Sequence, residues 1–414
     1  MKKKYTFVDL FAGCGGVSEG ILSSNKFEAL AHVEWELPMV NTLRNRLIEK
    51  WGHSEEDALK RVVHFDMQKT DELINGGWSD TSKKQYSSNN HTDIVNNGLT
   101  GLIGLKKVDL IIGGPPCQAY SIHGRATDSK SMENDYRNYL FESFARIVDF
   151  FKPDVFVFEN VPGILSAKPG GVLVTDRIFK AFAKIGYNIL KGDKLKKSVF
   201  NCSDFGIPQN RKRVLIIGVK NNSLFKVEEF YKAINENKNE NCKQTVKDAI
   251  GALPKAYPLD NEIKKDGKNL SHYSTSNNIS HHTPRYHNSR DIKIFKEWIE
   301  NKMNYVSHKE KVDFYYKKTG KKTLYSKYRN LEWDKQSYTI VAHLHKDGLM
   351  FIHPDLEQAR SITIREAALL MTFPIDYQFI GSNASCYKMI GNAVPVIFAK
   401  VVGESIFNIF SIKR

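Results

Sequence analysis

A cysteine preceded by two prolines is the residue whose setting most clearly indicates chemistry. Cys117 lies in the segment GGPPCQAYS, residues 113–121, directly after an apolar run that reads as a strand. The prolines restrict the backbone, so the loop would project the thiol into a cleft, where the thiolate form is a nucleophile. A lone cysteine at a strand end is usually a small buried apolar residue. The prediction that Cys117 is a nucleophile therefore depends on the surrounding loop.

A carboxyl group follows the next predicted strand. The run Val155–Phe158 ends in Glu159-Asn160-Val161. If the two strands are neighbours, Glu159 lies close to Cys117 and can act as a proton donor. The other interpretation is a structural carboxylate that accepts hydrogen bonds from backbone amides.

Three successive strand ends carry residues that suit an adenosine group. The first strand runs into residues 11–16, FAGCGG, whose glycines let the backbone approach a ligand closely, although a tight turn would need them too. Their spacing departs from GxGxxG, which counts against a nicotinamide oxidoreductase. At the second strand end, Glu34 could accept two ribose hydroxyls and Trp35 could cover an adenine face. At the third, Asp66 could accept a hydrogen of the adenine amino group.

The elements that must position these residues alternate between short apolar runs and helical patterns. This alternation predicts an α/β fold, a doubly wound sheet that binds ligands at the carboxyl ends of its strands. The predicted strands are Tyr5–Leu10, Ala29–Val33, Val62–Phe65, Leu110–Gly113, Val155–Phe158 and Val214–Val219. The predicted helices are Val17–Ser23, Met39–Glu49, Leu140–Phe151, Leu173–Ile185, Ile364–Met371 and Val394–Ile409.

The sequence divides into a larger and a smaller domain. We predict a first domain over 1–220, interrupted by a polar surface insertion at about 68–106, and a small domain over 221–384. Residues 385–414 would return to the first domain. Four histidines of the small domain lack metal-ligand spacing and a cysteine set, so we predict no metal site and expect surface or DNA-facing side chains. They are His272, His281, His282 and His287.

The charge balance calls for a polyanionic partner, although by itself it would also fit a membrane-surface or ribosomal protein. The formal net charge is +15 and the sequence pI is about 9.3, and lysines interleave with aromatic residues between 314 and 329. No window approaches the roughly 20 apolar residues of a membrane span. The five cysteines are odd in number and form no CxxC pair. We therefore expect a cytoplasmic chain with reduced thiols and no membrane contact.

Six motifs taken in order resemble the cytosine-5 DNA methyltransferases of bacterial restriction-modification systems. They are Phe11–Gly16, Pro115–Gln118, Glu159–Val161, Gln209–Arg213, Arg360–Glu366 and Gly391–Pro395. The resemblance spans the chain except the insertion and the region 221–329. Met371 departs from it, because a glutamine is common at that position.

The resemblance implies a Rossmann-like methyltransferase sheet with a small target-recognition domain. It implies S-adenosylmethionine as cofactor, double-stranded DNA as substrate and a cognate restriction endonuclease, and we expect a monomer. The implied catalytic residues are Cys117, Glu159, Arg211 and Arg213. The implied cofactor contacts are Phe11, Gly13, Gly15, Gly16, Glu34, Trp35, Asp66, Pro116, Leu140 and Asn392. We also predict DNA contacts at Ser121, Lys317, Lys318, Lys321, Lys322 and Arg365. The alternatives are an RNA cytosine-5 methyltransferase and an inactive DNA-binding relative.

Overall fold

The computed structural model describes residues 4–116, 140–239, 243–265, 267–276 and 278–413. The chain divides into two compact units. The first comprises Met1–Phe205, Lys212–Glu240 and Val394–Arg414, and the second comprises Gly206–Arg211 and Asn241–Ala393.

A mixed sheet forms the centre of the first unit. Within the described residues it has eight strands in the order β3-β2-β1-β4-β5-β8-β6, with β7 also paired to β8. The strands are β1 Tyr5–Leu10, β2 Phe27–Glu34, β3 Val62–His64, β4 Leu110–Gly113, β5 Val155–Asn160, β6 Tyr187–Ile189, β7 Val199–Asn201 and β8 Lys212–Lys220. Strands β1 to β5 pair in parallel, whereas β8 runs antiparallel to β5, β6 and β7. The side chains of β4 are all buried, as expected for a strand covered on both faces.

The strand order reverses between β1 and β4. The chain proceeds from β1 outward to β2 and β3, and then returns to the other side of β1 to form β4 and β5. The carboxyl ends of β1 and β4 therefore flank a topological switch point, the place where open α/β sheets bind ligands.

Helices surround this sheet along the chain. They are α1 Gly16–Ser23, α2 Leu37–Trp51, α3 Glu55–Arg61, α4 Thr70–Asn75, α5 Asp80–Tyr86, α6 Thr92–Ile103, α7 Leu140–Phe151, α8 Val174–Lys184 and α9 Val227–Glu236. Helix α2 has a proline in its first turn, and Gly52 directly follows its last residue with a φ of 72°, the left-handed conformation that glycine adopts readily.

The second unit has its own apolar core. Its described elements are a hairpin of β9 Ala256–Lys265 and β10 Lys268–Ser274, and the helices α10 Val246–Ile250, α11 Ser289–Glu300, α12 His308–Thr319, α13 Ile364–Leu370 and α14 Asn383–Asn392. Phe295 and Trp298 of α11 pack with Tyr328 and Ile352 in this core. A capping box between Ser307 and Glu310 fixes the start of α12.

The last helix, α15 Val396–Lys413, returns to the first unit. Among the described residues, one stretch, 383–412, is long and apolar enough to cross a membrane, contrary to our expectation that no window would approach that composition. The stretch is divided at residues 393–395 between α14 and α15, and 56% of its most apolar window is buried. Its composition is therefore that of core helices.

The predicted α/β fold is confirmed, and the domain boundaries differ from those predicted. Residues 206–211 lie in the second unit, residues 221–240 lie in the first, and the return begins at 394 and not at 385. The insertion at 68–106 forms helices α4 to α6, and its Trp78 is buried and stacks on Phe65 with ring centroids 4.2 Å apart. It is thus part of the core and more than a polar surface loop.

Candidate active site

The loops after β1 and β4 lie close together at the switch point. A Cβ atom built on Gly113 would lie 2.2 Å from the carbonyl oxygen of Leu10, so only glycine fits at this position. The loop after β1 contains Phe11, Gly13 and Gly15 with φ angles of 59°, 57° and 88°. Phe11 is held in a conformation that costs energy for a non-glycine residue, a feature typical of functional loops.

The carboxylate of Glu34 joins this loop to the end of β2. Its Oε2 accepts the backbone N–H of Gly13 at 2.8 Å, and its Oε1 accepts those of Trp35 and Glu36 at 2.8 and 2.9 Å. Burial raises the pKa of Glu34, while these three hydrogen bonds act in the opposite direction. Oε1 thus uses both of its acceptor sites, whereas Oε2 keeps a further one, which suits a hydroxyl of a ribose.

The neighbouring side chains suit an adenine ring. Trp35 is 49% exposed, so its indole is free to cover a flat ligand and is not a core residue. Asp66 lies just after β3, is half-buried, and accepts the backbone N–H of Gln68 at 2.9 Å. Together with the backbone of the loop 11–16, these residues fit the adenosine part of S-adenosylmethionine.

A buried polar cluster lies beneath the same loop, and we did not predict it. Ser18 of α1 donates its hydroxyl to Asp9 Oδ2 of β1 at 2.5 Å, and the same hydroxyl lies 2.8 Å from His32 Nδ1 of β2. All three side chains are at most 1% exposed. Burial raises the pKa of Asp9 to about 7 and lowers the pKa of His32 to about 3. The available signal was a charged residue and a histidine inside two otherwise apolar predicted strands.

Glu159 and Arg213, both predicted to be catalytic, form an ion pair. The two lie on the antiparallel neighbours β5 and β8, and Arg213 Nε is 2.6 Å from Glu159 Oε1. Their side chains are 14% and 10% exposed, so the ion pair is largely shielded from solvent. The arginine therefore orients the carboxyl group.

The loop after β4 approaches the same carboxyl group. A Cβ atom on Gly114 would lie 2.5 Å from Glu159 Oε2, and Asn160 Nδ2 donates to the carbonyl of Pro115 at 3.2 Å. Pro116 is half-buried, and the next residue, Cys117, lies outside the described residues, as does Ser121. The structure thus brings Glu159 and Arg213 to the loop that leads directly into the cysteine.

Arg211, predicted to be catalytic, holds backbone of the second unit. Its guanidinium donates to the carbonyls of Ile340, Gly391 and Ala393 at 2.6 to 3.0 Å, and it is 1% exposed. These contacts favour a positioning role over contact with a substrate base.

The prediction that Arg365 contacts DNA is also corrected, because its guanidinium holds backbone of the second unit as that of Arg211 does. It is fully buried and donates to the carbonyls of Ser280, Pro374 and Tyr377 and to the Ser280 hydroxyl. A guanidinium with these partners holds the start of α13 and is not available to a phosphate.

The four histidines of the second unit are structural and not surface residues. His272, His282 and His287 are buried, and His281 is partly buried with a positive φ of 61°. His272 Nε2 lies 2.9 Å from the carbonyl of Gln358, and His282 Nε2 lies 2.8 Å from that of Pro254. The described residues contain no group of three or more metal-binding side chains.

The remaining predicted contacts have varied surroundings. Leu140 is buried at the start of α7, and Asn392 is exposed at the end of α14, in the second unit. Lys317, Lys321 and Lys322 are exposed. Lys318 instead forms an ion pair with Glu297, so it is a weaker candidate for a DNA contact.

Comparisons with known proteins agree with this geometry. The family model of the C-5 cytosine-specific DNA methylase matches residues 65–408. The type II methyltransferase M.Bpa9945I of Bacillus paralicheniformis is 32% identical, over 98% of this chain and 99% of that protein. The type II methyltransferase M1.HphI of Haemophilus parahaemolyticus is 27% identical, over 97% and 86%.

Solved structures give the same result. An E. coli structure described as a DNA modification methyltransferase encoded within a prophage has a TM-score of 0.60 and 25% identity, covering 99% of this chain and all of that one. The S. pombe Dnmt2 methyltransferase shares the fold, with a TM-score of 0.52 at 15% identity. The chain therefore belongs to the C-5 cytosine-specific DNA methylase family.

Proposed function

We propose that this chain transfers the methyl group of S-adenosylmethionine to carbon 5 of a cytosine flipped out of a specific duplex DNA sequence. The observation that carries the proposal is the Glu159–Arg213 ion pair beside the loop that leads into Cys117. Family membership gives the reaction type, and we assign Glu159 of this pair as the acid group of the reaction.

A nucleophilic cysteine is needed because carbon 5 of cytosine is by itself too weak a nucleophile to attack a methyl donor. We assign Cys117 to add to carbon 6, which pushes electrons towards carbon 5 and towards ring nitrogen N3. Glu159 then donates a proton or a strong hydrogen bond at N3, while Arg213 holds the carboxyl group in place. Once carbon 5 carries the methyl group, loss of the carbon-5 proton to a base, departure of the Cys117 thiolate from carbon 6 and return of the N3 proton to Glu159 restore the aromatic ring. Carbon 6 is inaccessible in a stacked duplex, so the base must leave the helix.

Residues at the carboxyl ends of β2 and β3 suit the cofactor. Glu34 would bind a ribose hydroxyl through Oε2, Trp35 would cover the adenine, and Asp66 would accept from the adenine amino group. When bound, S-adenosylmethionine supplies an electrophilic methyl group.

We further propose that the chain is the modification enzyme of a restriction-modification system and acts in the cytoplasm. Two relatives that align over most of its length are named type II methyltransferases. The proposal implies a cognate endonuclease with the same target sequence. The second unit, with its exposed lysines, would supply target recognition.

Bisulfite sequencing of DNA from a host that expresses this chain tests the proposal. We expect protected cytosines in one sequence context, and none in a host that expresses Cys117→Ser at the same level. Methylation of transfer RNA with unmodified host DNA would instead establish the RNA alternative. Unmodified DNA and RNA, with soluble protein that binds S-adenosylmethionine, would contradict the proposal.

A further inference from the structure

The loop 320–327, which follows α12 in the second unit, exposes two large apolar side chains next to each other. Leu324 is 81% exposed and Tyr325 is 72% exposed, and the chain bends at these two residues. Single exposed apolar residues are normal on a protein surface, whereas two adjacent ones form a small apolar patch. A partner that covers both side chains would gain free energy by removing them from water.

The core of the second unit fixes both ends of this loop. Gly320 directly follows the last residue of α12 with a left-handed φ of 70°. At the other end, Tyr328 is 2% exposed and packs on Phe295 and Trp298. Tyr315 of α12 packs on the same ring, with centroids 5.7 Å apart. The segment between the two ends is therefore presented at the surface from a rigid base.

Hydroxyl groups hold the backbone of the loop around its bend. Thr323 Oγ1 accepts the backbone N–H of Tyr325 at 3.1 Å and donates to the carbonyl of the same residue at 3.0 Å. Ser326 Oγ donates to the carbonyl of Tyr328 at 3.1 Å. Side-chain bonds to backbone two residues ahead stabilise a turn. Ordering the loop against a partner would therefore cost less than ordering an unrestrained loop.

The charge around the apolar pair suits a polyanion. The segment 314–331 contains no aspartate or glutamate, and its cations lie on both sides of the pair. They are Lys317, Lys318, Lys321, Lys322, Lys327 and Arg329. Lys318 pairs with Glu297, whereas the three lysines within the loop 320–327 are exposed. Duplex DNA offers phosphates to such cations and apolar base surface within its grooves.

We propose that Leu324 and Tyr325 enter a groove of bound duplex DNA and pack on bases, while the lysines beside them bind phosphates. The inference rests on the proposed function and names two residues through which the second unit would recognise its target. Apolar side chains discriminate bases through the methyl group of thymine, or by inserting at a base step that unstacks easily. A lipid surface would also fit an apolar tip beside lysines, but membership of a DNA methylase family favours DNA.

The experiment uses the full chain and a duplex that contains its methylated sequence, together with duplexes in which each base pair is replaced in turn. Fluorescence anisotropy gives the affinities of wild type, Leu324→Ala and Tyr325→Ala at several salt concentrations. The control is Leu105→Ala, which truncates a fully exposed leucine of the first unit. None of the three substitutions changes the charge of the chain.

We expect each variant to bind the parent duplex about 10-fold or more weakly, the low end for burying one large apolar side chain. The salt dependence should keep its wild-type slope, because no phosphate contact is lost. At one base pair, or at two adjacent ones, replacement should cost wild type affinity and cost the variants little more. Leu105→Ala should behave as wild type.

The inference is overturned if both variants bind the parent duplex as wild type does, or if they weaken every duplex equally, because the tip then contacts no base. Sedimentation with phosphatidylglycerol vesicles that both variants lose, at unchanged duplex affinity, would assign the tip to a lipid surface instead. A wild-type chain that methylates no duplex would overturn the proposed function as well. Normal methylation by wild type, with wild-type binding by both variants, would overturn this inference alone.

Discussion

At the scale of single residues, the carboxyl group of Glu159 is constrained on two sides. Arg213 binds one oxygen at 2.6 Å, and Gly114 leaves room for the other only because it lacks a Cβ atom. Gly114→Ala should therefore displace the carboxyl group. Since a misplacement of about 1 Å can cost roughly 100-fold in rate, we expect a fall of that order in kcat.

The same substitution should change stability little, because the atom that must move is the end of a flexible side chain. Thermal unfolding and methyl transfer are measured on Gly114→Ala and on the control Gly403→Ala, a helical glycine whose Cβ would meet only ordinary or slightly close neighbours. An alanine at position 114 with wild-type kcat would show that the position of this carboxyl group does not matter.

The sequence predicts the positions and partners of the arginines only in part. Arg213 follows from the sequence because it directly precedes a clear apolar strand, Val214–Val219. The surroundings of Arg211 and Arg365 do not follow from the sequence, because their partners are backbone carbonyls outside the motif of each, at 340, 391 and 393 for Arg211 and at 280, 374 and 377 for Arg365. No spacing within a motif indicates such partners.

At the scale of elements, the cluster of Asp9, Ser18 and His32 joins β1, α1 and β2 beneath the loop 11–16. Burial raises the pKa of Asp9 to about 7, well above its ordinary value of 3.8. The folded state therefore binds a proton more tightly than the unfolded chain. The stability from Asp9 is complete below about pH 4 and is lost as the pH rises to about 7.

Asp9→Asn should remove this loss of stability with rising pH, because an amide does not ionise. The free energy of unfolding of the variant, relative to wild type, should rise between pH 4 and 7, by an amount on the order of a few kcal/mol, and level off above. His32, whose pKa burial lowers to about 3, acts with the opposite sign, but it is present in both proteins. Urea unfolding at several pH values measures this difference, with exposed Asp313→Asn as control. A difference that does not change with pH would disprove the account.

The elements themselves can be predicted unevenly, and for a physical reason. The parallel strands β1, β4 and β5 are mainly apolar, apart from Thr6 and Asp9 in β1 and the Glu159-Asn160 end of β5, so their positions follow from the sequence. Strands β6 and β7 have three residues each, too few for a periodic pattern. The segment with helices α4 to α6 resembles a polar insertion in sequence, because Ser, Asn, Thr and Lys separate the apolar residues that it buries, such as Trp78, Tyr86 and Leu99.

At the scale of the whole molecule, the charge of +15 indicates attraction to a polyanion but does not identify the residues that bind it. Lys321 and Lys322 are exposed just after α12. Replacing both by alanine should weaken binding to specific and unrelated duplexes alike. The log–log dependence of affinity on salt should become shallower by roughly 0.9 for each phosphate that the protein no longer neutralises.

The matched control is Lys318→Ala, because its ammonium group already pairs with Glu297. Fluorescence anisotropy of labelled duplexes at several salt concentrations gives each slope. An unchanged slope in the double variant would show that Lys321 and Lys322 are solvated surface residues that contact no phosphate.

The central claim, covalent catalysis by Cys117 on a cytosine in DNA, is tested most directly by trapping. A duplex with 5-fluorocytosine at the methylated position is incubated with the purified chain and S-adenosylmethionine, and the products are separated under denaturing conditions. Fluorine cannot leave as a proton does, so a protein–DNA adduct should accumulate with wild type and be absent with Cys117→Ser, whose hydroxyl is a far weaker nucleophile. No adduct with an enzyme that methylates the normal duplex, or methylation by Cys117→Ser near the wild-type rate, would contradict the account.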